Sequence, residues 1–216
     1  MQIKALAAIL NFIWKGKLFL KRFLKLFFRS IRRGGEIAGF IFCKLVFGGR
    51  SSSSGGLTVI IQNQQQDVFA QTLSAWRSSV MKSNRPLVLV CDLSNAGLAE
   101  SSGMFDRIIA VDFRKADRFY HCFYRWQILL KLRKIHTAEA VQTLVSGKTY
   151  FSDCMLLAIR ASQKYVLVDC IYNVRYSGVF YEALRTKFFT HTMPYRIELE
   201  VEENIRNFAG FCSNKP

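Results

Sequence analysis

At 216 residues and 50% hydrophobic composition the chain suits one large domain or two small ones, and 19 Phe, eight Tyr and three Trp give ample material for a core. The formal net charge of +16, from 31 Lys and Arg against 15 Asp and Glu, favours an anionic partner: nucleic acid, a phosphorylated ligand or an acidic membrane surface. The six cysteines (43, 91, 122, 154, 170 and 212) are never closer than 16 residues, and the three histidines form no HExxH pattern. This spacing excludes a metal site of the usual sequence signatures and fits reduced thiols in the cytoplasm; no metal and no cofactor are expected.

The charge excess is concentrated at the start, where residues 1–50 hold 11 basic residues against one acid, Glu36. Within NFIWKGKLFLKRFLKLFFRSIRR (11–33), Lys17, Lys21, Lys25, Arg29 and Arg33 recur every fourth residue, so a helix carries them as one slowly drifting stripe. Phe19, Leu20, Phe23, Leu24, Phe27 and Phe28 fill much of the remaining surface. Such a helix lies in a membrane interface with its cations toward anionic headgroups, and its charge-free runs, about ten residues at most, are too short to span a bilayer. Residues 1–47 are therefore expected to form a basic amphipathic membrane-associating segment, with a second apolar patch at 37–47 broken by Lys44. The alternative, a helix docked on its own domain, is disfavoured by the nearly unmixed basic charge. GGRSSSSGG (48–56) reads as a flexible linker.

From residue 57 the pattern alternates between strand and helix. A short β-branched run predicts a strand over 57–62. Helical spacing follows over 67–83, with Val68, Leu73, Trp76 and Val80 on one side. PLVLVC (86–91) is a near-continuous apolar strand, as expected when both sheet faces are covered. A weak helix over 93–104, a strand over 107–112, a strong helix over 118–135 and a weaker strand over 139–144 come next. A helix over 150–162 and a strand over 165–169 follow; 170–193 reads as irregular. The last helix, 195–212, puts Ile197, Val201, Ile205, Phe208 and Cys212 on one stripe. Repeated βα units of this size predict an α/β, Rossmann-like, mostly parallel sheet with helices on both faces, occupying 57–212. Ligands of such sheets bind beyond the carboxyl ends of the strands.

The first of those ends is occupied by QNQQQD, in which Asp67 opens a helix. No GxGxxG follows the strand and no GxxxxGK[ST] occurs in the chain, so the usual dinucleotide and phosphate cradles are absent. Asp67 has two readings: an N-cap, worth about 1 kcal/mol, or a general base reaching into the crevice. Ala70 stands where a capping box would place an acid or amide, so no capping box supports the first reading.

The order strand, polar loop, Asp, hydrophobic, helix, followed by PLVLVCDLSNAGLAESSGMFDRIIAVD, resembles the N-terminal domain of the ADP-heptose:lipopolysaccharide heptosyltransferase family, glycosyltransferase family 9. Asn95, Ala96, Phe105, Asp106, Ile108 and Ile109 stand at the places of the family's second and third βα units, QILLKLRK and Ser-Gly-Lys (146–148) fit the next, and RIELEVEENIRNF is similar to the helix that closes that domain. The resemblance covers about residues 57–211 and rests on the order of several weak motifs. It implies the N-terminal half of a GT-B fold. That half binds a phosphorylated glycolipid acceptor, and the nucleotide-sugar donor is held by a second, C-terminal domain that this chain is expected to lack. The family's loop carboxylate, the proposed base for inverting transfer, falls on Asp67. The family's Gly before that Asp is Gln66 here, and an Arg-type residue at the strand end is Gln62.

Candidate acceptor-binding groups lie in loops after strands: Lys148 with Ser146 and Ser152, then Arg175, Arg185 and Lys187, while Arg114, Lys115 and Arg118 are weaker candidates. The expected location is the cytoplasm, peripheral on the inner face of a bacterial inner membrane. Two other functions compete. One is a non-catalytic membrane-associated scaffold. The other is a nucleic-acid-binding protein, to which the interleaved aromatics and cations of 118–134 point, although no RRM, KH or zinc signature is present and nucleic acid is the less favoured partner.

Overall fold

The computed structural model describes residues 34–48, 56–80, 85–118, 121–143, 150–168, 179–196 and 198–213. The chain divides into two compact units, Met1–Gly39 and Phe40–Pro216. The described part of the first, 34–39, is helical.

The second unit opens with helical residues 40–47, called α1. Then follow β1 (Thr58–Gln62), α2 (Gln66–Val80), β2 (Leu87–Asp92), a 3₁₀ turn (Leu93–Asn95), α3 (Ala96–Ser101), β3 (Arg107–Val111) and α4 (Phe113–Ala116). The chain continues through α5 (Cys122–Arg133), β4 (His136–Gln142), α6 (Tyr150–Ala158), β5 (Arg160–Val168), α7 (Val179–Phe188), β6 (His191–Pro194) and α8 (Val201–Ser213). All six strands are parallel, in the order β3-β2-β1-β4-β5-β6. The order reverses between β1 and β4. Right-handed crossovers then put the helices of the first two connections on one face and those of the later ones on the other.

Alternate strand residues feed the two cores. On one face Ile60, Leu89, Val141, Tyr165 and Leu167 meet Phe69, Leu73 and Trp76 of α2 and Ile205, Phe208 and Cys212 of α8. Full burial of side chains this size contributes about 1.5–3 kcal/mol each before entropy is counted. On the other face the short spacing Phe40, Cys43, Phe47 gives α1 a buried stripe. The Phe40 ring centroid lies 5.1 Å from that of Tyr181 and 5.2 Å from that of Phe188. Residues 40–47 therefore belong to the α/β unit, ahead of the start expected at residue 57. The tail, residues 1–33, and the linker core, 49–55, lie outside the described residues.

Three differences from the sequence reading have plain causes. The segment 170–193 is not irregular throughout, since it contains α7 and the edge strand β6. HTMP in β6 is only half-buried and shows no apolar alternation to betray it. Next, α6 ends at Ala158 and β5 begins at Arg160, earlier than read, because the polar run RASQK pairs with β4 from His136 onward. Finally, α8 starts at Val201 instead of residue 195. The Asn204 side chain holds the preceding turn: its Oδ1 accepts from Arg196 N at 2.9 Å, and its Nδ2 donates to Arg196 O at 2.7 Å and Leu199 O at 3.1 Å.

Candidate functional site

The carboxyl ends of β1 and β4 flank the point where strand order reverses, the usual place for a ligand crevice in an open α/β sheet. The residues gathered there are mostly amides. Gln62, the last residue of β1, donates from Nε2 to Gln64 Oε1 at 3.0 Å and also to Thr72 Oγ1 of α2. Gln64 donates from Nε2 to the Thr143 carbonyl at 2.8 Å, across the reversal point, and its own carbonyl accepts from Asn95 Nδ2 at 2.8 Å. The glutamine-rich loop is thus tied to β1, to the end of β4 and to the turn after β2. Neutral amides suit this work because they carry two donors and an acceptor without the desolvation cost of a buried charge.

The pinned loop presents Gln65, Gln66 and Asp67 to solvent. The helix α2 begins at Gln66 and Phe69 N donates to Gln65 O at 2.8 Å, so Gln65 holds the cap position and Asp67 is the second helical residue. The capping reading of Asp67 is therefore corrected. Asp92 and Asp112, at the ends of β2 and β3, do act as caps. Asp92 accepts from Ser94 N at 3.0 Å and from Phe113 N at 3.2 Å, and Asp112 accepts from Lys115 N at 2.8 Å. Among the described residues no hydrogen bond or ion pair holds the Asp67 carboxylate.

Several buried polar atoms around the same edge also lack a protein partner among the described residues: Gln62 Oε1, Asn95 Oδ1, Thr143 Oγ1 and Ser152 Oγ. Buried polar groups left open in this way are places for water or for ligand hydroxyls. No group of His, Cys, Asp and Glu among the described residues is arranged to hold a metal ion.

The proposed acceptor-binding residues separate. Ser152 is buried at the start of α6. Arg185 is fully buried in the middle of α7 and is a core ion pair instead of a ligand group: its Nε lies 2.9 Å from Asp153 Oδ2, and Tyr181 donates its hydroxyl to the same oxygen at 2.6 Å. Burial pushes the Asp153 carboxyl up, against the opposing pull of the Arg185 guanidinium, the Tyr181 hydroxyl and the facing Gln142 amide. Lys187 is exposed at the end of α7. A helix between parallel strands ends near the start of the next one, so Lys187 lies by the amino edge, opposite Asp67. Arg114 and Lys115, in α4, are exposed beyond the end of β3 on the carboxyl side. Lys148 and Arg175 lie outside the described residues, as do Lys17, Lys21, Lys25, Arg29 and Arg33. Sequence reasoning missed Asp153, Asn95 and Gln64 as organisers; the only signal was that Asp153 interrupts an apolar run, whereas Gln64 stands within a wholly polar one.

One further surface stands out. Phe42, Leu45 and Val46 of α1 and Phe123, Trp126 and Leu130 of α5 are exposed, and the Phe42 and Trp126 rings lie 6.2 Å apart. No helix among the described residues is long and apolar enough to cross a membrane.

Sheet order, direction and helix placement define a Rossmann-like α/β domain whose strand order reverses beside the β1–α2 loop. No protein-family model and no curated protein sequence matches the chain. Its fold is similar to those of two solved forms of E. coli heptosyltransferase WaaC. With ADP the TM-score is 0.56, at 12% identity over 72% of this chain and 47% of that one; with ADP-2-deoxy-2-fluoro heptose it is 0.54, with the same identity and coverage. The glycosyl transferase family 9 structure from Veillonella parvula DSM 2008 matches with a TM-score of 0.55 at 12% identity, over 76% of this chain and 43% of that one. The chain spans less than half the length of each. The family 9 resemblance read in the sequence is thus met as a likeness of fold, and the fold is glycosyltransferase-like.

Proposed function

We propose that this chain is an acceptor-side glycosyltransferase domain, heptosyltransferase-like, acting in lipopolysaccharide or other surface glycan synthesis, with Asp67 as general base. The observation that carries the reading is an exposed carboxylate without a partner among the described residues. It sits in the first turn of α2, just after a loop anchored by buried amides, beside the strand-order reversal of a fold shared with heptosyltransferases. In the proposed reaction the Asp67 carboxylate takes the proton of an acceptor hydroxyl as that oxygen attacks the anomeric carbon. The anomeric centre inverts, and nucleoside diphosphate leaves with the bonding electrons. A carboxylate is adequate, since only partial proton removal is needed while the bond forms. The donor is a nucleotide-sugar held by a second domain, and the acceptor is an anionic glycolipid for which Lys148, Arg175, Arg114 and Lys115 are the proposed cationic contacts.

Membrane association follows from the same acceptor. The basic stripe Lys17, Lys21, Lys25, Arg29 and Arg33 supplies the charge, and the exposed apolar residues of α1 and α5 supply surface to bury in the interface. The chain then sits peripherally on the inner face of the inner membrane.

The test is sugar transfer from ADP-heptose to a phosphorylated lipid A inner core, with the chain supplied together with its donor-binding domain. Asp67→Asn should abolish product while leaving the thermal unfolding midpoint unchanged; retained transfer would reject the role of Asp67. A scaffold without catalysis is the second reading, favoured by the burial of Ser152 and Arg185 away from any acceptor. It predicts no transfer by the parent chain but persistent vesicle flotation that depends on residues 1–33.

A further inference from the structure

On the face of the sheet opposite α2 and α8, two thiols meet in the interior. Cys43 is the middle residue of the α1 stripe Phe40, Cys43, Phe47. Cys154 stands at the centre of α6, in which every residue from Phe151 to Ala158 is buried. Both thiols are free. Two sets of contacts bring the helices together at this point. The Phe40 ring, about one turn before Cys43, packs on Tyr181, and the Tyr181 hydroxyl donates to Asp153, the residue before Cys154, at 2.6 Å. The two thiols are themselves hydrogen-bonded, and Tyr150, one turn earlier in α6, is hydrogen-bonded to Cys154.

A free cysteine packs as a small hydrophobe, so either residue alone needs no further explanation. Two in hydrogen-bond contact, brought from distant parts of the chain, make a dithiol. Their environments differ. The hydrogen bond from Cys154 holds the Cys43 thiol below its usual range, against the effect of burial. Burial first, and then Cys43 itself, hold Cys154 well above. Cys43 therefore ionises first, and the thiolate is the form that attacks an oxidant. Cys43 is also the nearer of the two to solvent, 6% exposed against 1%. Cys91 and Cys212, buried in the other core, are both pushed up by burial.

We propose that Cys43 and Cys154 are a disulfide-forming pair whose oxidant is a hydroperoxide, and that the bond fastens α1 to the sheet. With hydrogen peroxide, the Cys43 thiolate attacks one oxygen, the O–O bond breaks, and the leaving oxygen takes a proton and departs as water. Cys43 is then a sulfenic acid. The Cys154 sulfur attacks the Cys43 sulfur, the S–S bond forms as the S–O bond breaks, and the departing hydroxide carries off the Cys154 proton as a second water. Two thiols and one peroxide give one disulfide and two waters. The step draws the sulfurs from hydrogen-bond contact to about 2.05 Å. In sequence α1 is joined to β1 through the Gly/Ser stretch 48–56, and its hold on the fold is one short apolar stripe with hydrogen bonds to Phe188 and Arg133. A covalent link at Cys43 closes a loop that contains β1 to β4 and Asp67.

The test treats the reduced full chain with equimolar hydrogen peroxide and maps its peptides, without reduction, by mass spectrometry. A linked Cys43–Cys154 peptide is expected, lost in Cys43→Ser and in Cys154→Ala and retained in Cys122→Ser. The oxidised chain should unfold roughly 10 °C above the reduced one, and dithiothreitol should reverse the gain. Should either pair variant fail to fold, the peptide map of the parent decides. Peroxide that leaves both thiols free, or that joins Cys43 to Cys122 or Cys170 instead, overturns the pairing. A linked chain that unfolds with the reduced one overturns the fastening of α1. None of these outcomes bears on Asp67, whose role is read from sugar transfer.

Discussion

Where the strands of this sheet end, the chain places amides and an open carboxylate; where they begin, it places lysines. At the carboxyl edge Gln62, Gln64 and Asn95 form a neutral lattice that fixes a loop and leaves Asp67 outside it. At the amino edge Lys164 is buried against a backbone carbonyl, with Lys44 and Arg133 as its charged neighbours. Between them, Asp153 and Arg185 form an ion pair with both partners fully buried, and Tyr181 donates to the same carboxylate. A charged side chain held this way stabilises a core, whereas one outside the lattice that caps no helix, as Asp67 is, is available to a ligand. The net charge of +16 does not distinguish these cases; placement does.

The largest effect should come from breaking the closed pair. Asp153→Ala leaves a buried guanidinium without its partner and should cost about 3–5 kcal/mol in denaturant unfolding. A loss below about 1 kcal/mol would mean that Arg185 is held by water or by other groups of the chain. Next comes the amide lattice. Gln64→Ala removes the bond to Thr143 and the acceptor of Gln62, for an expected loss of about 1–3 kcal/mol; under the proposed mechanism it lowers transfer through misplacement of Asp67, without altering acceptor chemistry.

The amino edge gives a pH signature. Lys164 is depressed from 10.5 to about 7 in the folded chain, so the unfolded state binds its proton more readily between those values. Its contribution to stability is therefore best near pH 10 and is lost as pH falls toward 7. Lys164→Met should unfold at a higher temperature than the parent at pH 7, with the gap narrowing toward pH 10. A gap independent of pH would show that Lys164 is charged throughout. The smallest effect belongs to Asp67: Asp67→Asn should change stability by less than about 0.5 kcal/mol, as for an exposed site without partners. A larger loss would return it to a structural role and erase the contrast with Asp92 and Asp112.

How much of this was legible beforehand depends on the range of the forces involved. Apolar runs such as PLVLVC and the helical spacing of Leu73 and Trp76 announce themselves locally, because period and burial are properties of one element, although the buried residue at the start of that stripe is Phe69 and not the expected Val68. β6 gave no such signal, since an edge strand of four half-buried residues needs only one partner. Arg185 read as an acceptor-binding loop cation because its partner, Asp153, lies 32 residues earlier. From its residues alone Asp67 read better as a cap, because the start of a helix can shift by a residue without changing the local pattern.

The sequence by itself determined an α/β sheet of parallel strands, the carboxylate at its first strand–helix junction and a terminal segment rich in basic charge. Only the tertiary structure decided which charges are spent inside the fold and which are left facing out. Periodicity is written into neighbouring residues, whereas the fate of a charge is set by desolvation and by partners that chain folding brings from distant elements.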